Sequence, residues 1–212
     1  MKKLLSILMA VSLLFSAMLI LTACNENEGG EGGITESDWK AMIAEPNFEN
    51  YTLHQKARIN YGGGMIYNED AIVKFTKDLM TIEESGDQDF YEEFVDGELA
   101  EQRGAYEDVF RALLADFDNY TYDEESGTYK SASTVTVELE MTPEGLDGVL
   151  TAKITMKDGV VTLTEDGKLE KFTCNFTQEM MIPEVGPMTV TTESMEWSFS
   201  DYGTTVAESI AE

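Results

Sequence analysis

The 212-residue chain has few of the residue types on which enzyme and metal sites most often depend. It contains one histidine, His54, two cysteines and four prolines. A histidine-rich metal site or a Ser-His-Asp triad would therefore rest on His54 alone. The motifs Gly-x-Ser-x-Gly, Gly-x-x-x-x-Gly-Lys and Gly-x-Gly-x-x-Gly are also missing from the sequence. We predict no enzymatic activity, no cofactor and no metal site, and we rank a hydrolase with an unrecognised site last among the hypotheses.

Basic residues are scarce as well. The chain has 14 lysines and arginines against 41 aspartates and glutamates, a formal net charge of −27. Such a surface repels phosphate backbones, so nucleic acid is excluded as an expected partner. Acidic residues cluster between Asp116 and Glu125, but a calcium loop starting at Asp116 would need glycine at position 121, where Thr121 stands. This cluster is predicted to be a solvated hairpin loop.

The first 24 residues have the pattern of a lipoprotein signal. Lys2 and Lys3 precede an apolar run at 4–23, which ends in Leu21-Thr22-Ala23-Cys24. This tetrapeptide matches the bacterial lipobox, in which the cysteine thiol accepts a diacylglyceryl group, and it predicts lipidation at Cys24. A helix of this length would also cross a bilayer of about 30 Å, so an uncleaved transmembrane anchor is the alternative. Both interpretations place the following domain outside the cytoplasm, anchored to the cell membrane.

We divide the chain into a signal peptide (1–23), a lipidated cysteine with a flexible acidic and glycine-rich tether (24–33), and a single α+β domain (34–212). The tether has an average span of roughly 15–18 Å, which keeps the domain close to the membrane. Lipid on Cys24 leaves Cys174 without a disulfide partner. Cys174 is predicted to be buried and unreactive, because Phe172 and Phe176 flank it on the same strand face.

Apolar periodicity predicts helices in the first half of the chain. Thr35–Glu45 begins with a capping residue and is stopped by Pro46. Extended segments are expected at 50–60, 71–75 and 79–83. The helical period then covers 87–117, with a short stripe at Phe90, Phe94 and Val95 and a longer one within 104–117.

The second half of the chain is predicted to be a series of β-hairpins. An Asp-Gly tight turn is expected at 157–159, and the last strand, 188–200, requires a bulge near 192–194 because its apolar residues change parity there. Consecutive hairpins form antiparallel sheets. The predicted fold class is therefore α+β: a curved antiparallel sheet, either a meander or a half-barrel, covered on one face by helices.

Three segments carry a resemblance to a known group. They are Phe117-Asp118-Asn119-Tyr120-Thr121-Tyr122-Asp123-Glu124-Glu125-Ser126-Gly127-Thr128-Tyr129, the Asp-Gly-Lys-Leu turn at 166–169, and Phe199-Ser200-Asp201-Tyr202-Gly203-Thr204-Thr205. They resemble small Firmicutes surface lipoproteins of unknown function, over most of residues 48–205. The order of elements is similar to the LolA/LppX-like superfamily, which implies a curved sheet covered by helices and a lipid carried in the apolar cavity between them. No functional residue of that superfamily can be placed on this chain.

The resemblance and the anchor together suggest that the domain binds a lipid or another apolar ligand. A cavity between sheet and helices would be lined by eleven apolar residues: Phe110, Leu113, Leu114, Phe117, Met156, Phe172, Phe176, Met180, Met195, Trp197 and Phe199. Methionine suits irregular apolar ligands because its side chain is flexible and polarisable, although ordinary core packing explains these residues as well. The alternative is a cell-surface interaction or scaffold module with a solid core and no ligand.

Overall fold

A computed structural model describes residues 33–44, 48–87, 89–141, 150–182 and 186–209. Pro46, the predicted signal peptide, Cys24 and nearly all of the tether lie outside these ranges. Within the described residues, no helix is both long enough and apolar enough to span a membrane.

Two helices and ten strands make up the described chain. In chain order they are α1 (Glu36–Met42), β1 (Tyr51–Asn60), β2 (Ile66–Phe75), β3 (Leu79–Gly86), β4 (Phe90–Val95), α2 (Asp96–Leu114), a 3₁₀ turn (Phe117–Asn119), β5 (Tyr120–Asp123), β6 (Thr128–Ser131), β7 (Val135–Met141), β8 (Leu150–Leu163), β9 (Leu169–Ile182) and β10 (Gly186–Ser200). The domain is therefore mostly β, with a minority of helix.

All ten strands belong to one open antiparallel sheet. The strand order is β4-β3-β2-β1-β10-β9-β8-β6-β5, and β7 pairs with β8 beside this path. Strands β1 to β4 form one run of hairpins and β8 to β10 another. The two runs meet where the first strand pairs with the last, with Leu53 opposite Phe199 and Ala57 opposite Met195. The prediction of an antiparallel sheet combined with helix is confirmed.

Helix α1 begins at the predicted capping residue. The Thr35 side chain accepts a hydrogen bond from the Asp38 amide, and the Asp38 carboxylate accepts one from the Thr35 amide. Trp39 and Met42 are buried, and the Trp39 indole donates to the Leu114 carbonyl at 2.7 Å, at the end of α2. The helix is shorter than predicted, since it ends at Met42 rather than at residue 45.

The predicted start of the second helical segment is wrong. Residues 90–95 form strand β4 instead, with Phe94 opposite Met80 and Phe90 opposite Glu84 of β3. The two phenylalanines are four residues apart, a spacing that places them on one side of a strand as well as on one side of a helix. Helix α2 then runs unbroken through Gly104, ends at Leu114, and leaves Phe117 in the 3₁₀ turn.

The tight turn predicted at 157–159 is also wrong. Strand β8 continues through it, with a bulge in its pairing to β9 between Lys157 and Val160. Asp158 takes a positive φ of 53°, and the Gly159 amide donates to the Ser131 hydroxyl at 2.9 Å. A β-carbon on Gly159 would lie 2.9 Å from Met156 Cε and 3.0 Å from Ser131 Cβ, so a side chain at this position would require these neighbours to shift. By contrast, the bulge expected near 192–194 is confirmed in the β10 register.

Candidate functional site

The strand registers divide the sheet into two chemically different faces. We call the side that bears Leu53, Phe172 and Phe199 the inner face and the opposite side the outer face. Inner-face residues are mostly buried and form one apolar cluster with the helices. The outer face carries charged residues in pairs, such as Arg58 with Glu193 at 2.8 Å and Lys171 with Glu196 at 2.6 Å.

The eleven residues predicted to line a cavity all belong to or pack against this apolar cluster. Ten of them are buried and Phe117 is partly buried. At the contact with α2 they leave little space, because the Phe110 ring centroid lies 5.2 Å from that of Phe199 and 6.1 Å from that of Trp197. Phe172 stacks on Trp197 at 5.3 Å. This part of the predicted cavity is packed core.

The other predicted residues lie further along the strands, towards the β1–β2 turn at 61–65 and the end of β9 at Ile182. There Met156 stands opposite Phe176, Phe176 opposite Thr192, and Met180 opposite Met188. Met195 lies beside Ala57 and Cys174, two small side chains. The inner face is thus aromatic where it meets α2 and rich in methionine beyond it.

A chain of hydrogen bonds that the sequence did not predict crosses the boundary between these two parts. The Trp197 indole donates to Gln55 Oε1 at 2.7 Å. The Gln55 amide then donates to Glu69 Oε1 at 2.6 Å. Glu69 lies opposite Ala57 on the inner face and is only partly exposed. Loss of hydration, with a smaller contribution from the charge of Glu84, raises the pKa of the Glu69 carboxyl to about 7, against the opposing hydrogen bond from Gln55.

A second carboxylate, Glu84, lies on the neighbouring strand and is buried. It accepts a hydrogen bond from the Tyr67 hydroxyl, and loss of hydration raises its pKa. The pKa of the Tyr106 hydroxyl, on α2, is also raised, first by burial and then by the charges of Glu69 and Glu84. The inner face therefore concentrates negative charge and hydrogen-bond acceptors beside an apolar surface.

Two buried amide atoms close to these elements have no hydrogen-bond partner. One is Nε2 of Gln178, which pairs with Ile154 on β8 and with Val190 on β10. The other is Oε1 of Gln102, one helical turn before Tyr106 on α2. Buried polar atoms in folded proteins are nearly always paired, so each unpaired one needs an explanation.

Exposed apolar side chains gather at the same end of the sheet as the methionines. The β1–β2 turn carries Met65, 55% exposed, and Ile66, 40% exposed. Met181, 51% exposed, lies near the end of β9. Because β1 and β9 both end here, these residues lie at the end of the sheet away from α2, with Ile66 and Met181 on the outer face.

The remaining candidate residues lie elsewhere. His54 is on the outer face and pairs with Asp70 at 2.5 Å. Cys174 is buried, and loss of hydration raises the pKa of its thiol to about 12. In the acidic hairpin the Asp123 carboxylate accepts from the Glu125 amide and pairs with Lys130. The described residues contain no group of three potential metal ligands.

A cavity of about 610 Å³ lies at the bulges of β8 and β10. It is lined by the outer-face residues Lys56, Arg58, Asp158 and Glu193 and also by the inner-face residues Ala57, Glu69, Cys174 and Met195. This charged cleft is not the apolar space expected from the sequence.

Comparison of the chain with protein-family models, with curated proteins and with solved structures gave no match. The inner-face residues themselves are therefore the basis for a functional proposal.

Proposed function

We propose that this protein is a lipid-anchored extracytoplasmic lipoprotein that binds an amphiphile on the inner face of its sheet. The ligand would lie on the methionine-rich part of that face, between the sheet and the helices that cover it. No catalytic step is part of this proposal.

A curved sheet wrapped around α2 is supported by the contacts of that helix. It contacts β3 and β4 near one edge of the sheet and β7 near the other. Seven strand spacings separate β4 from β7, about 34 Å in a flat sheet at ~4.8 Å each. A 19-residue helix is only about 28 Å long. Strands so far apart meet one helix most easily if the sheet bends towards it.

The observation that carries the proposal is the mixed chemistry of the inner face. A solid core would exclude carboxylates and unpaired amides, because each costs free energy when removed from water. Here Glu69, Glu84 and the unpaired amide of Gln178 share a face with Met156 and Met180. Apolar walls with a few convergent polar groups are typical of ligand sites.

Membrane attachment supports the same proposal. Lipidation at Cys24 would keep the domain within roughly 20 Å of the bilayer through the tether at 24–33. The exposed side chain of Met65, in the β1–β2 turn, would then provide an apolar rim at the open end of the inner face. An amphiphile could pass from membrane to protein across this rim.

The interaction or scaffold module remains the second candidate, and one observation favours it. The rings of Phe110, Trp197 and Phe199 fill the space between α2 and the sheet. If the rest of the inner face is as well packed, the protein has a solid core and acts through its surface.

A titration with 1-dodecylglycerol, a neutral single-chain amphiphile, tests the proposal. The protein would be the mature chain, residues 24–212 with Cys24→Ser, purified without detergent. A brominated chain should quench tryptophan fluorescence saturably, and native mass spectrometry should show a one-to-one complex. No saturable quenching and no complex would refute ligand binding and favour the interaction module.

Adjacent methionines provide a matched pair of variants. Met180 is 4% exposed on the inner face, whereas Met181 is 51% exposed on the outer face. Met180→Gln should weaken binding about tenfold, because it places an amide where the alkyl chain lies. Met181→Gln should leave the affinity unchanged. Equal effects of the two substitutions would mean that the inner face does not hold the ligand.

A further inference from the structure

The charges around the inner face restrict what the polar end of a ligand can be, and this step rests on the function proposed above. All lysines and arginines of the described strands point outwards, because they stand at the parity opposite to Leu53 and Phe172: Lys56, Arg58, Lys74, Lys130, Lys153, Lys157 and Lys171. In α2, Arg103 donates to the carbonyls of Phe48 and Thr76, and Arg111 pairs with Glu107. Both cations therefore have partners; one further donor, Arg111 Nε, is buried and unpaired.

The parts of the chain that follow the predicted signal and lie outside the described residues add no positive charge. Segments 24–32, 45–47, 88, 142–149, 183–185 and 210–212 contain neither lysine nor arginine. Lys56 and Arg58 line the same cavity as Glu69 but pair with Asp70 and Glu193. Lys40 and Lys168 pair with Glu36 and Asp166, and Lys77 is exposed in the β2–β3 turn, at the end of β2 away from Glu69. Among the described residues, none of these cations is therefore placed to neutralise a carboxylate or phosphate head group on the inner face. Above pH 7, where Glu69 is ionised, such an anion would instead be repelled by that carboxylate.

The groups that face the ligand region include the carboxylates of Glu69 and Glu84 and one unpaired donor, Gln178 Nε2. Glu69 Oε1 accepts a hydrogen bond from the Gln55 amide, and Gln55 in turn accepts one from the Trp197 indole. These two bonds fix the orientation of the Glu69 carboxylate. Among the described residues no donor bonds the second oxygen of Glu69. Gln102 Oε1, an acceptor on α2, is also buried and unpaired. The complement of this arrangement is a group with positive charge and several N–H donors.

We infer that the ligand is a cationic amphiphile, an alkyl chain that ends in an ammonium group, and that Glu69 receives the ammonium. The chain lies along Met156, Met180 and Met195, and the ammonium replaces water at the second carboxylate oxygen of Glu69. Charge complementarity selects this class over fatty acids and phosphate-bearing lipids.

The same geometry fixes the direction of a pH effect. Five titratable groups lie around the Glu69 carboxylate. They are Tyr61 in the β1–β2 turn, Tyr67 on β2, Glu84 on β3, Glu92 on β4 and Tyr106 on α2. The pKa values of all three tyrosines are raised above 10, so they stay neutral near pH 7. Glu69, with a pKa of about 7 in the free protein, must lose its proton to pair with ammonium. Amine affinity therefore falls as the pH drops below 7, by up to tenfold per unit.

The test compares three twelve-carbon ligands on the mature chain (24–212, Cys24→Ser): dodecylamine, dodecanol and dodecanoate. Tryptophan fluorescence and calorimetry should give an affinity for the amine at least tenfold higher than for the carboxylate at pH 8. Glu69→Gln should remove this preference while changing dodecanol affinity less than threefold. The control Glu193→Gln, on the outer face, should change none of the three affinities.

The outcomes separate this inference from the proposed function. Equal affinity for amine and carboxylate, or an unchanged preference in Glu69→Gln, would overturn the ammonium site while ligand binding itself stands. Failure of all three ligands to bind would refute both. If Glu69→Gln does not fold, the pH dependence of the unsubstituted protein decides: amine affinity that is constant between pH 5 and 8 overturns the inference.

Discussion

Replacing Glu69 by glutamine should stabilise the folded protein at neutral pH. Glu69 is only partly exposed, and loss of hydration raises its carboxyl pKa from an ordinary 4.5 to about 7. The folded state therefore holds this proton more tightly than the unfolded state does. Binding of this proton by Glu69 favours folding below about pH 4.5. The stabilisation is lost as the pH rises through 7, because folding then places a charged carboxylate among apolar neighbours.

The size of this effect follows from the difference between the two pKa values. Each pKa unit corresponds to 1.36 kcal/mol, so the full difference gives about 3 kcal/mol as an upper bound. Partial exposure of Glu69 reduces this to about 1–2 kcal/mol, because water screens the charge. Glutamine has nearly the same shape, and its carbonyl oxygen can still accept the hydrogen bond from Gln55, so the substitution removes the charge and little else.

Urea unfolding at pH 5, 6, 7 and 8 measures this directly. The difference in unfolding free energy between Glu69→Gln and the unsubstituted protein should grow by about 1–2 kcal/mol over this range, in favour of the variant. Carboxyl groups that do not interact with Glu69 titrate equally in both proteins and cancel in the difference; Glu84, whose charge contributes to the raised pKa of Glu69, is the exception. The control Glu193→Gln should show no such growth, because hydrogen bonds from Asn60 and Arg58 lower the pKa of Glu193. Parallel curves for the Glu69 variant and the unsubstituted protein would refute the reasoning.

Three further predictions concern the core and the two cysteines. Phe110→Ala should lower the unfolding free energy by about 3–5 kcal/mol in urea melts, because it empties a fully buried site between Phe199 and Trp197; a loss below 1 kcal/mol would contradict a filled junction. Cys174 should resist maleimide labelling until the protein is unfolded, since its thiol is buried with a pKa of about 12; rapid labelling of the native protein would contradict this. Cys24→Ser should abolish metabolic labelling with a fatty acid, and labelling that persists would mean that the lipobox assignment is wrong.

Sequence patterns that fit only one kind of secondary structure predicted parts of α1, α2 and β10 correctly. The capping pair Thr35 and Asp38 located the start of α1, and the long apolar stripe at 106–114 located the second half of α2. The change of parity in β10 predicted its bulge, because only an extra residue lets Val190 and Met195 share a face.

Ambiguous short patterns were resolved by long-range pairing instead. The six residues of β4 fit a helical stripe as well as a strand, and pairing with β3 decides between them. The Asp158-Gly159 dipeptide suits a hairpin turn as well as a bulge. The hydrogen bond to Ser131 and the pairing of Val160 and Val161 with β6 make it a bulge, and neither contact is local in the sequence.

The polar residues of the inner face were only partly predictable. Alternation in β1 places Gln55 on the same face as Tyr51, Leu53, Ala57 and Ile59, so an inward-facing amide could have been found from the sequence. Glu69 and Glu84 were missed because the extended segments predicted at 71–75 and 79–83 stop short of both. Alternation in the full strands places Glu69 in phase with Ala71 and Val73, and Glu84 in phase with Ile82.

The position of these residues gives a reason to connect stability with binding. Gln55, Glu69 and Glu84 lie on three neighbouring strands, where apolar residues would pack without loss of hydration. Sequences depart from such local consistency mainly at functional sites, where stability is exchanged for binding. Glu69→Gln should therefore change two quantities in opposite directions: the protein becomes more stable at pH 8, and its affinity for dodecylamine falls. A variant that gained stability and kept its amine affinity would separate the two and leave Glu69 as a destabilising residue with no part in binding.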